Sequence, residues 1–505
     1  MIPVLSVENM RKSDARTIEN GTPGRELMLR AGRGVFEKVR WMPPAAILCG
    51  SGNNAGDGYV IALLLKEAGI PCELILLSGR HSEDGAYYLG KCREAGIPEK
   101  PWDSTVDLKA YGTIVDCLFG TGFHGEVRGA ARDAIEAMNT SGAYVVSVDI
   151  NSGLNGDSGM AELCVHSDLT VSVGGFKPGH FLNMARDVMK EKVNVDIGIE
   201  PADRICHLIE QADIAPLFRP RLNFSHKGTY GYIALIGGSM RYTGAVRLAS
   251  LANAAMRSGA GVVKVAVPKS LFPAVAPALK ESTFFPLSEE NGKMAFDEKE
   301  LADLTGNIRT AAFGMGAGTS DGASAVLGWL LEHFPGRLIV DADGLTLLSR
   351  MNRERIRNTG RVLILTPHLK EFSRLTGQSI EEIQRNPVAA AEAYAASTGA
   401  VVLLKGTATV ITDGKTTYIT DTGCAGMATA GSGDVLSGIL AAVSAFLPED
   451  ALLATAAAAW LNGRAGELAQ SRYGSVSMTA GDTAACLPEI VHSLEKMSLS
   501  SSPDA

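Results

Sequence analysis

Short, almost unbroken apolar runs recur along this chain, each closing on a glycine-rich or aspartate-bearing turn and followed by a helix-like segment. In the first half the runs are Ala45–Cys49, Cys72–Leu77, Thr113–Leu118, Tyr144–Ile150 and Leu169–Val173. Continuous rather than alternating apolar residues suit parallel strands covered on both faces. The stretch from Tyr59 to Ala68, closed by Gly69, reads as one of the intervening helices. Such a βαβ series predicts a Rossmann-like, doubly wound α/β/α domain, with ligands beyond the carboxyl ends of the strands. Asn53, Asn54, Asp57, Asp116, Asp149 and Lys177 all fall at or just after those ends.

The pattern restarts in the second half, with runs at Tyr232–Ile236, Val262–Val267, Thr310–Phe313, Leu338–Val340, Val362–Leu365, Val401–Leu404 and Thr409–Ile411, then an alanine-rich helix from Ala451 to Leu461. Between the two series lies Ala215-Pro216-Leu217-Phe218-Arg219-Pro220, where two prolines disfavour continuing any element. At 505 residues the chain exceeds one ordinary core, so we expect domains over 1–215 and 220–495. The Ser-rich end, Ser498 to Ala505, reads as disordered.

A net charge of −8 offers no basic surplus for nucleic acid. The eight cysteines form no C-x-x-C pair and several lie in apolar runs, which argues for buried thiols over a zinc site and fits a cytoplasmic protein. Met1 to Glu8 lacks the features of a signal peptide. Val435 to Leu447, the longest apolar stretch, is too short to span a bilayer and reads as a core helix, so no membrane partner is expected.

Two glycine sites carry the chemistry. The first, Gly50-Ser51-Gly52-Asn53-Asn54-Ala55-Gly56-Asp57-Gly58, follows a strand, and its amides can converge on an anion. It is neither a Walker loop nor a clean G-x-G-x-x-G. Asn54 offers a neutral oxygen suited to a weakly bound hard cation. Asp57 taken alone reads equally as a helix cap. Asp116 closes a strand ahead of the loop Gly120-Thr121-Gly122-Phe123-His124-Gly125-Glu126, and Asp149 ends another ahead of Asn151-Ser152-Gly153. A strand-end aspartate either serves the crevice or caps a loop. Lys177 is a candidate to balance the Asp149 charge.

In series, G-x-G-N-N-x-G-D-G, D-x-L-F-G-T-G and V-D-I-N-S-G, with Met10-Arg11-x-x-Asp14 and Leu27-Met28-x-x-Ala31-Gly32 before them, resemble the NAD(P)HX epimerase family, the YjeF N-terminal family, over about residues 1–215. The resemblance implies interconversion of the R and S epimers of hydrated NADH and NADPH. It implies substrate contacts at Asn53, Asn54, Ala55, Gly56 and Asp57 and at Gly120, Thr121, Gly122, Phe123, His124, Gly125 and Glu126. Potassium ligands would be Asn54, Asp116 and Ser152, with Asp149 as the acid/base. Ala55 departs from the family's glycine, which is harmless where φ is negative.

The second site, Gly431-Ser432-Gly433-Asp434, opens the Val435 helix, where amides can hold a phosphate and Asp434 can take a proton from a hydroxyl. Read blandly, Asp434 is an N-cap. Lys405-Gly406-Thr407-Ala408-Thr409, Thr366-Pro367-His368 with Glu371 and Phe372 after it, Gly314-Met315-Gly316-Ala317-Gly318, and Gly237-Gly238-Ser239 with Tyr242, Gly244 and Ala245 after it all follow strands. Asp341-Ala342-Asp343-Gly344 ends a strand with two carboxylates, one of them a candidate to meet Mg2+ through water. Together these resemble the ADP/ATP-dependent NAD(P)HX dehydratase family, the YjeF C-terminal family, over about residues 220–495. The resemblance implies a ribokinase-like α/β/α fold and substrate contacts at Ala245, Gly316, His368 and Asp434. It implies nucleotide contacts at Lys405, Gly406, Thr407, Ala408, Thr409 and Gly433, phosphoryl transfer from ADP or ATP to the 6-hydroxyl, and loss of phosphate. It also implies a homo-oligomer. Two rivals stay open here: a small-molecule kinase with an accessory domain, and a first domain that is only a nucleotide-binding scaffold.

Overall fold

The computed structural model describes residues 1–250, 254–352, 354–357, 361–447 and 449–500. The chain divides into two compact units, Pro3–Cys206 and, with Met1–Ile2, His207–Ala505. The divide follows Cys206, and the two-proline segment expected at the boundary belongs to the second unit.

In the first unit a seven-stranded parallel sheet is built from β1 (Ala45–Cys49), β2 (Cys72–Leu76), β3 (Glu99–Pro101), β4 (Thr113–Cys117), β5 (Tyr144–Val148), β6 (Ser167–Val173) and β7 (Met189–Val195). The spatial order is β3-β2-β1-β4-β5-β6-β7, so strand order reverses between β1 and β4. Cys49 and Cys117 pair at the carboxyl ends of these two strands, and the loops that leave them frame the crevice such a reversal opens. Separate apolar clusters pack on the two faces, one holding Ile47, Val115 and Val146, the other Leu48, Ile114 and Val145. β7 carries no continuous apolar run. It reads Met-Lys-Glu-Lys-Val-Asn-Val and lies at the sheet edge, where charged residues discourage further pairing.

Three helices matter for the site: α1 (Val7–Glu19), α2 (Gly24–Lys38) and α3 (Asn53–Glu67). α3 begins inside the glycine run, capped by Gly52, and not at Tyr59. This corrects the cap reading of Asp57, which is an internal residue of α3 and caps nothing. Ala55 takes a helical conformation, so its φ is negative and glycine has no advantage there.

The second unit carries β8 (Tyr232–Ile236), β9 (Val262–Pro268), β10 (Thr283–Leu287), β11 (Thr310–Phe313), β12 (Arg337–Val340), β13 (Leu363–Leu365), β14 (Val401–Leu404), β15 (Thr409–Thr412) and β16 (Thr417–Thr420). They lie in the order β16-β15-β14-β13-β12-β11-β8-β9-β10, with His207 and Leu208 pairing at the β16 edge. The pairs from β14 to β10 are parallel, the β14–β15 and β15–β16 pairs are antiparallel, and His207–Leu208 runs parallel to β16. β10 contains Pro286, which is tolerated because β10 is an edge strand.

The helices used below are α4 (Thr243–Ser250), α5 (Asp343–Leu348), α6 (Leu369–Thr376), α7 (Ser432–Phe446), α8 (Ala451–Tyr473) and α9 (Ala480–Ser500). α7 is buried along almost its whole length, as a core helix should be. α8 runs on to Tyr473, well past Leu461, and α9 follows it. α9 takes in Ser498–Ser500, correcting the disorder expected there, while 501–505 lie outside the described residues. Among the described residues no helix is long and apolar enough to cross a membrane.

Candidate functional sites

In the first unit a cavity of about 670 Å³ opens at the strand-order reversal. Its walls include Ser51 to Asn54 and Asp57 from α3 and its cap, Leu118 to His124 from the loop after β4, Asp149, Lys177, and residues of α1 and α2. Of the expected contacts, Asn53, Asn54, Asp57, Gly120, Thr121, Gly122, Phe123, His124 and Asp149 line it, whereas Ala55, Gly56, Gly125 and Glu126 do not. Ala55 is buried in the core. Gly56 faces Met28, whose Cε lies 2.4 Å from where a Cβ would stand, so it lets α2 pack on α3.

Asp149 is held in a left-handed conformation (φ 65°) just after β5. That conformation is uncommon for a residue with a side chain and marks a site the surroundings enforce. The enforcing contacts are visible. The Asp149 amide donates to the Val171 carbonyl at 2.8 Å, and His180 Nε2 lies 2.7 Å from the Asp149 carbonyl oxygen. The Lys177 amide donates to His180 Nδ1 at 2.9 Å, which leaves the ring proton on Nε2, facing Asp149. His180 is fully buried and its pKa falls to about 4, through burial first and Lys177 second, so the neutral ring is the resident form. Sequence reasoning missed His180, although it lies three residues beyond Lys177, on the same turn.

The side chain of Asp149 is as tightly committed. One oxygen pairs with Lys177 Nζ and the other accepts from the Thr121 amide at 3.3 Å. Lys177 is 1% exposed and also donates to the Val173 carbonyl at 2.9 Å. Burial alone would raise the Asp149 pKa, but Lys177 outweighs it and holds the carboxylate below its ordinary range. Asp14 and Asp57 go the other way. Burial raises Asp57 well above a normal aspartate, with Asp149 and Asp14 adding to it, and raises Asp14 to about 6.

Asp116 and Ser152 lie beneath the cavity and do not line it. Asp116 is fully buried and accepts from Ser147 Oγ (2.9 Å), Ser152 Oγ (2.5 Å), the Ser152 amide (2.9 Å) and the Leu118 amide (3.2 Å). The Asn54 amide group donates to the Phe119 carbonyl at 3.0 Å and the Val148 carbonyl at 3.2 Å. Among the described residues, its own oxygen is buried without a hydrogen-bond partner. A buried acceptor left unmatched is costly, and a hard cation would satisfy it.

In the second unit, Asp341 after β12 and Lys405 after β14 meet at 2.9 Å. The other Asp341 oxygen accepts from Ser437 Oγ of α7 at 2.7 Å, and Lys405 lies 3.9 Å from Glu371 of α6. Asp341 is thus taken up by Lys405 and Ser437. Asp343 has one oxygen on the Gly318 amide at 2.8 Å. Asp434 sits in the first turn of α7, whose cap is Gly431 at φ 93°. Burial first and Asp341 second raise its pKa to about 7, against the pull of Lys405. Among the described residues, the hydroxyl of Ser432 beside it is buried without a hydrogen-bond partner. A Cβ on Gly433 would stand 3.5 Å from Lys405 Nζ, so the Gly-Ser-Gly turn abuts the ion pair.

His368 caps α6: its Nδ1 accepts from the amides of Lys370 (3.1 Å) and Glu371 (3.3 Å). Its backbone bridges to Lys405. Ala245 and Gly316 also come together. Gly316 has φ 63°, and a Cβ there would stand 2.6 Å from Tyr242 Cβ and 3.1 Å from Ala245 Cβ. Of the run 405–409, Lys405 reaches the acidic cluster, while Gly406 and Thr407 are exposed, Ala408 is buried and Thr409 starts β15.

The fold and the two sites define an α/β protein with two anion-ready centres in tandem, each at the carboxyl edge of its own sheet. Residues 24–179 match the model of the YjeF-related protein N-terminus, and residues 233–489 match that of NAD(P)H-hydrate dehydratase. The chain is 36% identical to the bifunctional NAD(P)H-hydrate repair enzyme of Archaeoglobus fulgidus over 92% of its own length and 93% of the relative's. The Escherichia coli enzyme of the same name is 32% identical over 92% and 89%. Among solved structures, the ADP/ATP-dependent NAD(P)H-hydrate dehydratase of Bacillus subtilis, crystallised with ATP and Mg2+, is 29% identical with a TM-score of 0.51, covering 57% of this chain and 99% of that one. The chain belongs to the bifunctional NAD(P)H-hydrate repair enzyme family.

Proposed function

We infer that this protein repairs hydrated NADH and NADPH: the first unit interconverts the R and S epimers, and the second dehydrates the S epimer at the expense of ADP or ATP. The observation that carries this reading is that each sheet edge holds an aspartate prepared for proton transfer, Asp149 in one and Asp434 in the other, beside a glycine turn suited to a phosphate-bearing ligand. In the first unit, Asn53, Asn54, Asp57 and the 120–124 loop hold the substrate and Asp149 handles the proton. The unmatched oxygen of Asn54, with Ser152 and Asp116 below it, fits a potassium ion, which would supply positive charge near a dinucleotide's phosphates.

In the second unit the S epimer contacts Ala245, Gly316, His368 and Asp434, and the nucleotide contacts Gly433 and residues 405–409. Asp434, with a pKa near 7, takes the proton of the 6-hydroxyl as that oxygen accepts the terminal phosphoryl group. The phosphate then leaves C6 with the C6–O bonding pair, C5 gives up a proton to solvent, the electrons of that C–H bond form the C5=C6 double bond, and NADH or NADPH is restored. Asp343, with one oxygen on the Gly318 amide, is the carboxylate that would hold Mg2+, whose part would be to neutralise phosphate charge. We further propose a cytoplasmic homo-oligomer, on family resemblance.

The test is absorbance at 340 nm on mixed R and S NADHX with Mg2+, K+ and ADP or ATP. Full recovery of NADH from both epimers is expected. Recovery that stops once the S epimer is consumed removes the epimerase. Release of a stable phosphorylated product in place of inorganic phosphate makes the second unit a kinase.

A further inference from the structure

The cavity of the first unit contains a carboxyl that none of the site assignments above uses. α1 presents Met10, Asp14 and Ile18 to it, a stripe at helical i, i+4, i+8 spacing whose middle member is polar. The flanking Met10 and Ile18 explain themselves as apolar lining. Asp14 does not, since among the described residues its carboxyl accepts no hydrogen bond and its electrostatic neighbours are Asp149 and Lys177. A partly buried carboxyl with no partner is unfavourable as an ion and is relieved by protonation or by a ligand.

We propose that Asp14 is a second acid/base residue of the epimerase site, exchanging a proton with the 6-hydroxyl of hydrated NAD(P)H from one wall of the cavity while Asp149 serves the other face of the ring. The inference rests on the epimerase reading of the first unit. Inverting a carbon that bears both a hydroxyl and the ring nitrogen is open to a simple route. Asp14 gives its proton to the hydroxyl oxygen, the C6–O bond breaks, the nitrogen lone pair forms the C6=N1 bond, and water leaves. Water then adds to the opposite face of C6, the π electrons return to N1, and Asp149 takes the proton of the incoming water. The net result is inversion with one proton moved from Asp14 to Asp149, and the reverse reaction returns it. The two carboxyls must start in opposite protonation states. That is how the site is built: Lys177 holds Asp149 ionised, and burial raises Asp14 to about 6.

The test uses the full-length protein: the thermal melt of each variant reports folding of the first unit, and dehydratase activity on pure S epimer with ADP reports that the second is unaffected. Asp14→Asn, nearly isosteric, is expected to lower epimerase kcat/KM by about 100-fold or more, with dehydration unchanged. Asp14→Glu is expected to recover at least a tenth of the wild-type rate. Because Asp14 must be protonated to donate, the wild-type rate falls as pH rises through about 6, and Asp14→Asn loses this limb. Asp57, Asp84, His124, Asp149 and Lys177 share the cavity walls, so a limb that survives in Asp14→Asn belongs to one of them and overturns the proposal. Epimerase activity within threefold of wild type in Asp14→Asn also overturns it, as does Asp14→Glu no more active than Asp14→Asn while dehydration persists, which would mark a packing role. Should Asp14→Asn lose dehydration too, the pH profile of Asp14→Glu decides. A wild type that dehydrates but never epimerises removes the epimerase reading, and this inference with it.

Discussion

Both sites set a lysine beside an aspartate at the carboxyl edge of a parallel sheet, yet they leave their working aspartates in opposite states. In the first unit the buried Lys177 pairs with Asp149 itself, and the carboxylate is held below its ordinary range. In the second, Lys405 pairs with Asp341, and Asp434 is left with burial and a neighbouring negative charge, rising to about 7. The same residue types therefore give a fixed anion in one place and a group that titrates near neutrality in the other. Which carboxylate the lysine pairs with decides the outcome.

The largest effect should follow removal of the titrating group. Asp434→Asn is expected to lower phosphate release from the S epimer with ADP by about 10³-fold while epimerisation of R NADHX continues. Loss of both, or of neither, would break the division of labour between the units. Lys177→Met comes next. Without Lys177, burial dominates at Asp149, its pKa rises, and the fraction ionised at a given pH falls. Epimerase activity should drop about 10²-fold at neutral pH and gain an acid limb absent from the wild type, beside the alkaline limb that Asp14 sets. A pH profile without that acid limb would mean that Lys177 acts through something other than the Asp149 charge.

The parts of this comparison that were legible from sequence are those carried by strand ends. β1, β8, β11 and β14 coincide with apolar runs, and Asp116, Asp149, Asp341 and Lys405 fall where strands stop. Strands that failed the pattern did so for a reason: β7 is charged, β10 holds a proline, and both lie at edges where neither feature is penalised. Pairing was not legible. Nothing in the sequence distinguishes a lysine that meets the working aspartate from one that meets its neighbour. The strand that brings Lys405 to Asp341 is two places away in the sheet, and the bond that fixes the Asp149 turn comes from His180. The resemblance to the family named Asp57 and Ala55 as contacts, and only the early start of α3 separates the one that lines the cavity from the one that does not.

A smaller effect sharpens the role of the neighbour. Gly316→Ala puts a methyl into a left-handed position 2.6 Å from Tyr242 Cβ, so stability should fall by more than about 1 kcal/mol and KM for the S epimer should rise, with kcat less affected. Thermal melts and saturation curves check both. A variant with unaltered KM would separate Gly316 from the substrate.

The smallest expected change is also the most direct probe of what makes the two sites differ. Asp341→Asn removes the negative charge that, after burial, raises Asp434 most, and it leaves Lys405 only Asp434 and Glu371 to act on. Both changes lower the Asp434 pKa. Asp434 must be ionised to accept a proton, so the acid limb of the dehydratase profile, which lies near pH 7 in the wild type, should move down. The second site would come to resemble the first, with its lysine serving the working carboxylate. Ser437 keeps a hydrogen-bond partner in the asparagine, so the variant should fold, and dehydration should persist at low pH with kcat lowered severalfold because a weaker base accepts the proton less readily. A limb that stays near pH 7 would mean that burial alone sets the Asp434 pKa and that the pairing of Lys405 with Asp341 does not control it.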